Sequence, residues 1–253
     1  MARCSFPLAL AGVVALSFAG SLSRSALAKG KRPPVIGVVA DGVAELLYGA
    51  PKLGVRNKQA LAGKVFTAVC DGATTPWKLA ELRDERGLVG SFVSAAKPKY
   101  CLLLDTHTPE GALARPSGRP AATEKQIAAA KAAAMTALTP KKGDAPTKLD
   151  VFVFHDGRSF VAVAQTKVLS SNEKGSCAER ATVVVLEEKA SGAWKPFFRP
   201  QPKQKNVCGY SFFTRGDVDG DGKDEIALRI EKADEVGYRV LKRSKDSYDV
   251  IAR

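Results

Sequence analysis

Apolar and polar residues alternate along most of this chain in short runs, which is the period-2 pattern of β-strands. Asp-Gly or Ser-Gly pairs punctuate the runs. Asp41-Gly42 and Asp71-Gly72 each follow a β-branched run and predict tight hairpin turns, and Asp156-Gly157 and Ser191-Gly192 repeat the signal. About a dozen strands are predicted, at 35–39, 64–70, 77–82, 88–93, 100–104, 150–154, 160–164, 181–188, 194–198, 210–213, 226–230, 238–242 and 248–251.

One segment has a helical pattern instead, over residues 123–138. Thr123 and Gln126 form a capping box at its start, alanines supply helix propensity, and Pro140 and Gly143 end it. The helix is expected either to pack on a sheet or to bridge two units. Its predicted packing stripe consists of Ile127, Ala134, Met135 and Leu138.

These elements divide the chain into four regions. Residues 1–28 form a predicted signal peptide, 29–108 an N-terminal β unit, 109–148 a linker rich in Ala, Pro and Lys that carries the helix, and 149–253 a C-terminal β unit. Strands and helices do not alternate, so a parallel sheet is disfavoured. The predicted fold is mainly β, an antiparallel meander, sandwich or set of propeller-like sheets, with one α-helix.

The N-terminal segment predicts export, to the periplasm or as a secreted protein. Arg3 precedes an apolar run over 6–18, which is short for a membrane span, and Ala26-Leu27-Ala28 matches a signal-peptidase site. A membrane anchor is the alternative. No later stretch has the ~20 consecutive apolar residues of a spanning helix, so no transmembrane segment is expected in the mature chain.

Four cysteines follow the signal segment, and an even number in an exported protein indicates disulfides. Three connectivities are possible. Cys70–Cys101 and Cys177–Cys208 are favoured because each pair lies within one half of the chain. Free thiols are the alternative, and zinc is less favoured because the chain has no C-x-x-C pair.

The formal net charge is +13, which raises the question of a nucleic-acid partner. The lysines are dispersed, few aromatic residues stand between them, and no nucleic-acid-binding motif is present. The sequence therefore predicts a solvated basic surface without specific nucleic-acid binding. Net charge of this sign leaves a protein or an anionic polysaccharide open as the partner.

The chain offers little to a catalytic mechanism. His107 and His155 are its only histidines, and no nucleophile elbow, zinc-protease motif or P-loop is present. We name no catalytic residue. A hydrolase built on paired carboxylates stays open, since such pairs follow no spacing rule in sequence.

The densest chemistry lies in a short acidic run over residues 216–225. Asp217, Asp219 and Asp221 alternate, Gly222 follows where the chain must turn sharply, and Glu225 closes the run. Side chains in this arrangement reach one centre, and hard oxygen donors of this kind bind Ca²⁺. We predict side-chain ligands from these four acids and a carbonyl ligand from Lys223. An acidic turn without metal is the alternative reading.

The run differs from an EF-hand in two respects. The twelfth position of the loop, where an EF-hand has its bidentate glutamate, is Leu228. Both flanks carry aromatic and β-branched residues, which favour strands rather than helices. Asp224 lies outside the alternation and is expected to be solvated or to support the ligands.

The pattern D-x-D-x-D-G-x-x-E instead resembles the calcium loop of FG-GAP and VCBS-type repeats, the blades of integrin-α-like β-propellers. The resemblance covers residues 207–250 in a single copy, and Glu225 replaces the aspartate of the family pattern. It implies a structural Ca²⁺ in a β-hairpin and does not imply a whole propeller.

Two functions follow as expectations. The first is an exported, non-enzymatic, calcium-binding β protein that acts as a binding, interaction or envelope module. The alternative is an exported hydrolase of polysaccharide or peptide whose calcium is purely structural. A cleft away from the loop with two or more converging carboxylates, or with His107 and an acid, would favour the hydrolase. A flat or aromatic-lined surface without such a cluster would favour the binding module.

Overall fold

The structure is a computed structural model, and it describes residues 35–47, 63–82, 87–93, 97–107, 118–138, 145–169, 177, 179–200, 207–219, 221–232, 235–245 and 247–252. All of them belong to one compact unit. The predicted signal peptide over 1–28 and the basic segment that follows it to residue 34 lie outside the described residues.

The first six strands close into an antiparallel barrel in the order β1-β2-β5-β4-β3-β6. The two Asp-Gly turns join β1 to β2 and β3 to β4, with positive φ at both turn residues (49° and 86° at Asp41-Gly42, 45° and 80° at Asp71-Gly72). These angles are those of the type I′ turn, whose twist matches that of the strands it joins. The strands are β1 Val35–Ala40, β2 Val43–Leu46, β3 Val65–Cys70, β4 Ala73–Leu82, β5 Gly87–Phe92 and β6 Tyr100–His107.

Large apolar side chains fill the barrel. Trp77 is fully buried between Phe66, Leu79 and Leu88. The disulfide Cys70–Cys101, one of the two favoured pairs, joins the neighbouring strands β3 and β6 inside this cluster.

Helix α1 spans Glu124–Ala137 and begins with the predicted capping box between Thr123 and Gln126. It packs on the second sheet through Ala130, Ala134 and Leu138, against a cluster that includes Trp194. The predicted stripe was wrong at one position. Met135 is 66% exposed, because it lies one residue away from the buried line of Ala130 and Ala134. The part of the chain that is described contains no helix that is long and apolar enough to cross a membrane.

The remaining strands form a second sheet in the order β14-β13-β12-β11-β9-β8-β7, with β10 paired to β9. Neighbours are antiparallel except at β9 and β11, which make one parallel contact between Ala181 and Gly209. The disulfide Cys177–Cys208, the other favoured pair, also lies in this half. The strands are β7 Ala145–His155, β8 Phe160–Leu169, β9 Glu179–Glu188, β10 Trp194–Phe198, β11 Val207–Gly216, β12 Glu225–Lys232, β13 Val236–Arg243 and β14 Tyr248–Ala252.

The predicted class, mainly antiparallel β with one helix, is therefore confirmed for the described residues. One boundary differs from the expected organisation, since β7 begins at Ala145, inside the segment assigned to the linker.

The barrel packs on the second sheet through the outward residues of β3 and β6. Val69 and Leu102 of the barrel share a buried cluster with Phe213, Ala227 and Val240 of the sheet. This contact brings the β3–β4 turn beside the end of β11, where the acidic run begins. The acidic run therefore lies at the junction of the two β layers and is not a remote surface loop.

Candidate functional site

The acidic run over 216–225 connects β11 to β12 in a β-hairpin, and we call this connection the acidic loop. Gly216 and Glu225 pair at its base, as the flanking residues predict. Val218 is buried in the core that joins the barrel to the sheet, and its backbone N–H donates to Glu225 Oε2 over 3.0 Å. The hydrophobic anchor therefore holds the beginning of the loop against its last acid.

Three carboxylates of this loop converge. Asp217, Asp219 and Glu225 each offer an oxygen, and these atoms all lie within 4.8 Å of one another. Two ligands of one Ca²⁺ can be at most about 4.8 Å apart, because each lies about 2.4 Å from the ion. The three oxygens meet that limit, so they fit part of the shell of a hard cation in charge and spacing.

Backbone geometry in the loop follows from its glycine. Gly222 has φ of +84°, the left-handed conformation that favours glycine, and its N–H donates to Asp217 Oδ2 over 2.8 Å. Further along, the N–H of Asp221 donates to Asp219 Oδ1 and the N–H of Lys223 to Asp221 Oδ1. These bonds wrap the backbone around the acids.

Lys242 of β13 supplies a cation to the same acids. Its ammonium contacts Asp219, lies 2.7 Å from Asp221 Oδ2 and 3.7 Å from Glu225 Oε1. Burial opposes the charge on Lys242, but hydrogen bonds to Asp219 and Asp221 outweigh it and raise the pKa of the ammonium. The acids therefore attract a positive charge strongly enough to draw a lysine from a neighbouring strand.

Glu225 is the most perturbed acid of the loop. It is 1% exposed, and this burial raises its pKa from 4.5 to about 8. The N–H of Val218 and the charge of Lys242 favour the ionised form, whereas Asp219 and Asp221 oppose it. The ionised form of Glu225 therefore requires compensating positive charge in this position.

The predicted ligands do not all share one position. Asp217, Asp219 and Glu225 lie together, whereas Asp221 lies outside this group of three and pairs with Lys242. Hydrogen bonds from Lys242 and from the N–H of Lys223 hold the pKa of Asp221 below its usual value, although burial opposes this. For Lys223, the predicted carbonyl ligand, the described contacts are its N–H bond and its ammonium, 3.7 Å from Asp221 Oδ2.

Asp224 plays a different part from the expected solvated or supporting acid. It is 2% exposed and forms ion pairs with both Arg119 and Arg215. Arg215 also reaches Asp71 Oδ1 at 3.1 Å. Asp224 therefore ties the acidic loop to the segment before the helix and to the β3–β4 turn of the barrel.

The β7–β8 turn is joined to the same junction. The N–H of Asp224 donates to the carbonyl of Asp156 over 2.7 Å, and Arg119 donates to the carbonyl of Gly222 over 2.9 Å. Gly157 has φ of +96°, and a Cβ there would lie 2.1 Å from the carbonyl oxygen of Gly222. The backbone of the two turns is in direct contact, which leaves no room for a side chain.

His155 and Asp156 engage separate partners in that turn. His155 Nδ1 accepts from the N–H of Gly157, whereas Asp156 is buried and pairs with Arg243 at 2.9 Å. The neighbouring acid thus has its own counter-ion. The described residues do not bring His155 and Asp156 into one catalytic pair.

A second feature near the loop is an aromatic cleft of about 500 Å³ between the barrel and the sheet. Ligand sites commonly have this volume and this apolar character. Its aromatic lining consists of Tyr100, Phe152, Phe154, Phe212 and Phe213. We call this feature the aromatic cleft.

Comparison of the chain with protein-family models, with curated proteins and with solved structures found no match. The likeness to FG-GAP and VCBS-type calcium loops therefore rests on the loop residues alone and stays a prediction.

Three parts of the site lie beyond what the sequence reading identified. Lys242 and Arg119 carry no local signal, since each acts on a residue far from it in sequence. The aromatic cleft has one local sign, the consecutive rings of Phe212 and Phe213. In a strand that alternates apolar and polar residues, two large apolar neighbours mark an irregular position.

Proposed function

We propose that this protein is an exported, non-enzymatic, calcium-binding β protein that acts as a binding module. The observation that carries the proposal is the convergence of the Asp217, Asp219 and Glu225 oxygens within 4.8 Å. In this account the ion is structural. It neutralises acids at the junction of the two β layers and stabilises the folded form by mass action.

Export is supported by the two disulfides, which persist in oxidising compartments. The signal-peptide pattern over 1–28 supports the same location. Calcium of millimolar concentration is available in many such environments, where even weak oxygen sites bind it.

A binding role is favoured over hydrolysis by the lining of the aromatic cleft. Among the described residues that line it, Asp71 is the one carboxylate, whereas a glycosidase uses a pair. The aromatic lining was the feature expected of a binding module.

The test is a thermal melt of the mature protein with calcium and with chelator. Calcium at a hundred times its Kd is expected to add about 2.7 kcal/mol to the free energy of unfolding. Asp219→Ala should abolish the difference between the two conditions, whereas Asp249→Ala, an exposed acid outside the loop, should preserve it. A wild-type melting temperature that chelator leaves unchanged would refute the calcium assignment.

A further inference from the structure

We propose that the aromatic cleft binds an anionic oligosaccharide whose sugar rings stack on Tyr100 and Phe152 and whose carboxylates pair with Lys99. This inference rests on the binding role proposed above and names the ligand class. The cleft lies at the same junction as the acidic loop, because Arg215 takes part in both.

Two groups of rings line the cleft. On the barrel side Tyr100 packs on Phe213 with centroids 5.0 Å apart. On the sheet side Phe212 packs on Phe152 at 4.8 Å and on Phe154 at 6.2 Å. The inner rings are held by the core, and one ring on each wall extends towards solvent.

The outer rings are exposed to a degree that folding alone does not require. Tyr100 is 38% exposed and Phe152 is 39% exposed, and they are the two aromatic side chains among the exposed large apolar residues of the described chain. Their occurrence in one cleft indicates a surface that contacts a partner.

A local irregularity brings two neighbouring rings of β11 to this cleft. The register of β11 against β12 shifts between Phe212 and Thr214, so Phe213 is an extra residue in its strand. Regular alternation would send adjacent side chains to opposite faces, and a bulge changes their direction. Both Phe212 and Phe213 contribute to the cleft as a result.

The mouth of the cleft carries charged groups as well as rings. The Lys99 ammonium is exposed, lies 5.2 Å from the Tyr100 ring centroid and belongs to the same wall. The Asp71 side chain is 81% exposed even though one of its oxygens lies near Arg215. A ligand at the mouth therefore meets an ammonium donor and a carboxylate acceptor beside an aromatic surface.

This combination matches the chemistry of a sugar acid. The C–H face of a pyranose ring is attracted by the negative face of an aromatic ring. Its hydroxyl groups can donate to Asp71, and its carboxylate can accept a charge-assisted bond from Lys99. An apolar peptide side chain would use the rings and would leave both charged groups without a role.

Charge also selects an anionic ligand over a cationic one. Arg215 of the cleft is already paired with Asp224 and Asp71, so the cations that a ligand meets are Lys99 and the exposed Lys97 nearby. The whole chain carries a formal net charge of +13, which attracts polyanions over longer distances. A neutral sugar would use the stacking and lose the charged contact.

The experiment is calorimetric titration of the mature protein with hexagalacturonate, with its fully methyl-esterified form and with hexaglutamate, in calcium buffer. We expect hexagalacturonate to bind and the neutral ester to bind at least about tenfold more weakly. Hexaglutamate has the charge without the sugar ring and should bind at least as weakly as the ester. Equal binding of all three ligands, or no binding of hexagalacturonate, would overturn the proposal.

Variants locate the site. Phe152→Ala and Tyr100→Ala should each weaken hexagalacturonate binding about tenfold, which is the effect of losing one stacking ring. Lys99→Ala should also weaken binding, because it removes the ammonium that pairs with the carboxylates. Ile251→Ala, at an apolar position of similar exposure, and Lys195→Ala, which changes charge as Lys99→Ala does, should leave the affinity within about twofold. If the control variants weaken binding as much as the cleft variants, the cleft is not the site.

The two proposals fail separately. If calcium does not change the melting temperature but Phe152→Ala still weakens hexagalacturonate binding, only the metal site is refuted. If calcium raises the melting temperature as predicted but Phe152→Ala leaves hexagalacturonate binding unchanged, only the saccharide site is refuted. All variants are first compared by melting temperature, so that a variant that unfolds is recognised before its affinity is interpreted.

Discussion

Two neighbouring acidic regions of this protein solve the problem of negative charge in different ways. In the loop, the ammonium of Lys242 pairs with three carboxylates, those of Asp219, Asp221 and Glu225, and Lys223 pairs with Asp221 at the edge. One residue before Glu225, the carboxylate of Asp224 is held by two arginines. Among the ion pairs of the described residues, three loop acids share two cations, whereas the single acid Asp224 has two.

The difference supports the calcium role proposed for the loop. A buried carboxylate with two guanidinium partners is complete and needs no ion. Neighbouring carboxylates that outnumber the cations beside them repel one another unless a further cation binds between them. Proximity of acids alone therefore does not mark a metal site, and the local balance of charge distinguishes the two.

The largest effect should come from breaking the complete site. Asp224→Ala leaves Arg119 and Arg215, both mostly buried, without their shared partner. We expect a loss of about 3–5 kcal/mol in the free energy of unfolding, with or without calcium. Chemical denaturation in chelator measures it, and Asp249→Ala is the control at an exposed aspartate. A loss below about 1 kcal/mol would contradict the structural role of Asp224.

The contact between the two turns should come next. Gly157→Ala places a methyl group 2.1 Å from the Gly222 carbonyl oxygen and should cost about 1–3 kcal/mol beyond the strain of its positive φ. Gly192→Ala is the matched control, since Gly192 has φ of +77° and no atom within 4 Å of an added Cβ. Equal losses from the two variants would show that the contact between the turns does not matter.

The next test concerns Lys242 of β13, whose ammonium contacts the acids of the loop but not Asp224 in the ion pairs described. Lys242→Met removes the protein's own cation, so calcium no longer competes with it, and we expect calcium to bind about tenfold more tightly, or about 1.4 kcal/mol. In chelator the same variant should be less stable than wild type, because the acids lose their counter-ion. Lys195→Met is the exposed control. Unchanged or weaker calcium binding in Lys242→Met would mean that the lysine does not oppose the metal.

The most gradual effect is the response of stability to pH, which is spread over several pH units. The pKa of Glu225 is raised to about 8 from 4.5, so the folded protein retains a proton that the unfolded chain has released. In chelator this contribution to stability is complete below pH 4.5 and is lost as pH rises to 8, at up to about 1.4 kcal/mol per pH unit.

Calcium should reverse that trend, because it binds the ionised form and binds better as pH rises. Melting curves between pH 5 and pH 8 in chelator and in calcium test both signs. The side chain in Glu225→Gln cannot ionise, so this variant should lose the pH dependence of stability both in chelator and in calcium. Parallel pH profiles in calcium and chelator would contradict the role of Glu225.

The sequence predicts the parts of the fold that local chemistry determines. Asp41-Gly42 and Asp71-Gly72 adopt the positive φ values that their residue types favour. The capping box of Thr123 and Gln126 begins the helix where it was expected. The hairpin around the acidic run follows from the aromatic and β-branched residues beside it.

Other parts depend on contacts between residues far apart in the chain. Closure of the barrel requires β1 to pair with β6, 60 to 69 positions later, and no local signal specifies that pairing. Tyr100 and Phe152 line one cleft only because the barrel packs on the sheet. Asp224 was expected to be solvated or to support the ligands because Arg119 lies 105 positions away in the sequence and Arg215 lies on the facing strand of the hairpin.

Direct calorimetric titration of calcium into chelator-treated protein tests most closely whether the acidic loop binds calcium. We predict one calcium site per chain. Binding should be lost in Asp219→Ala, retained in Asp249→Ala and tighter in Lys242→Met. Absence of binding to the wild-type protein, or binding that Asp219→Ala leaves unchanged, would contradict it.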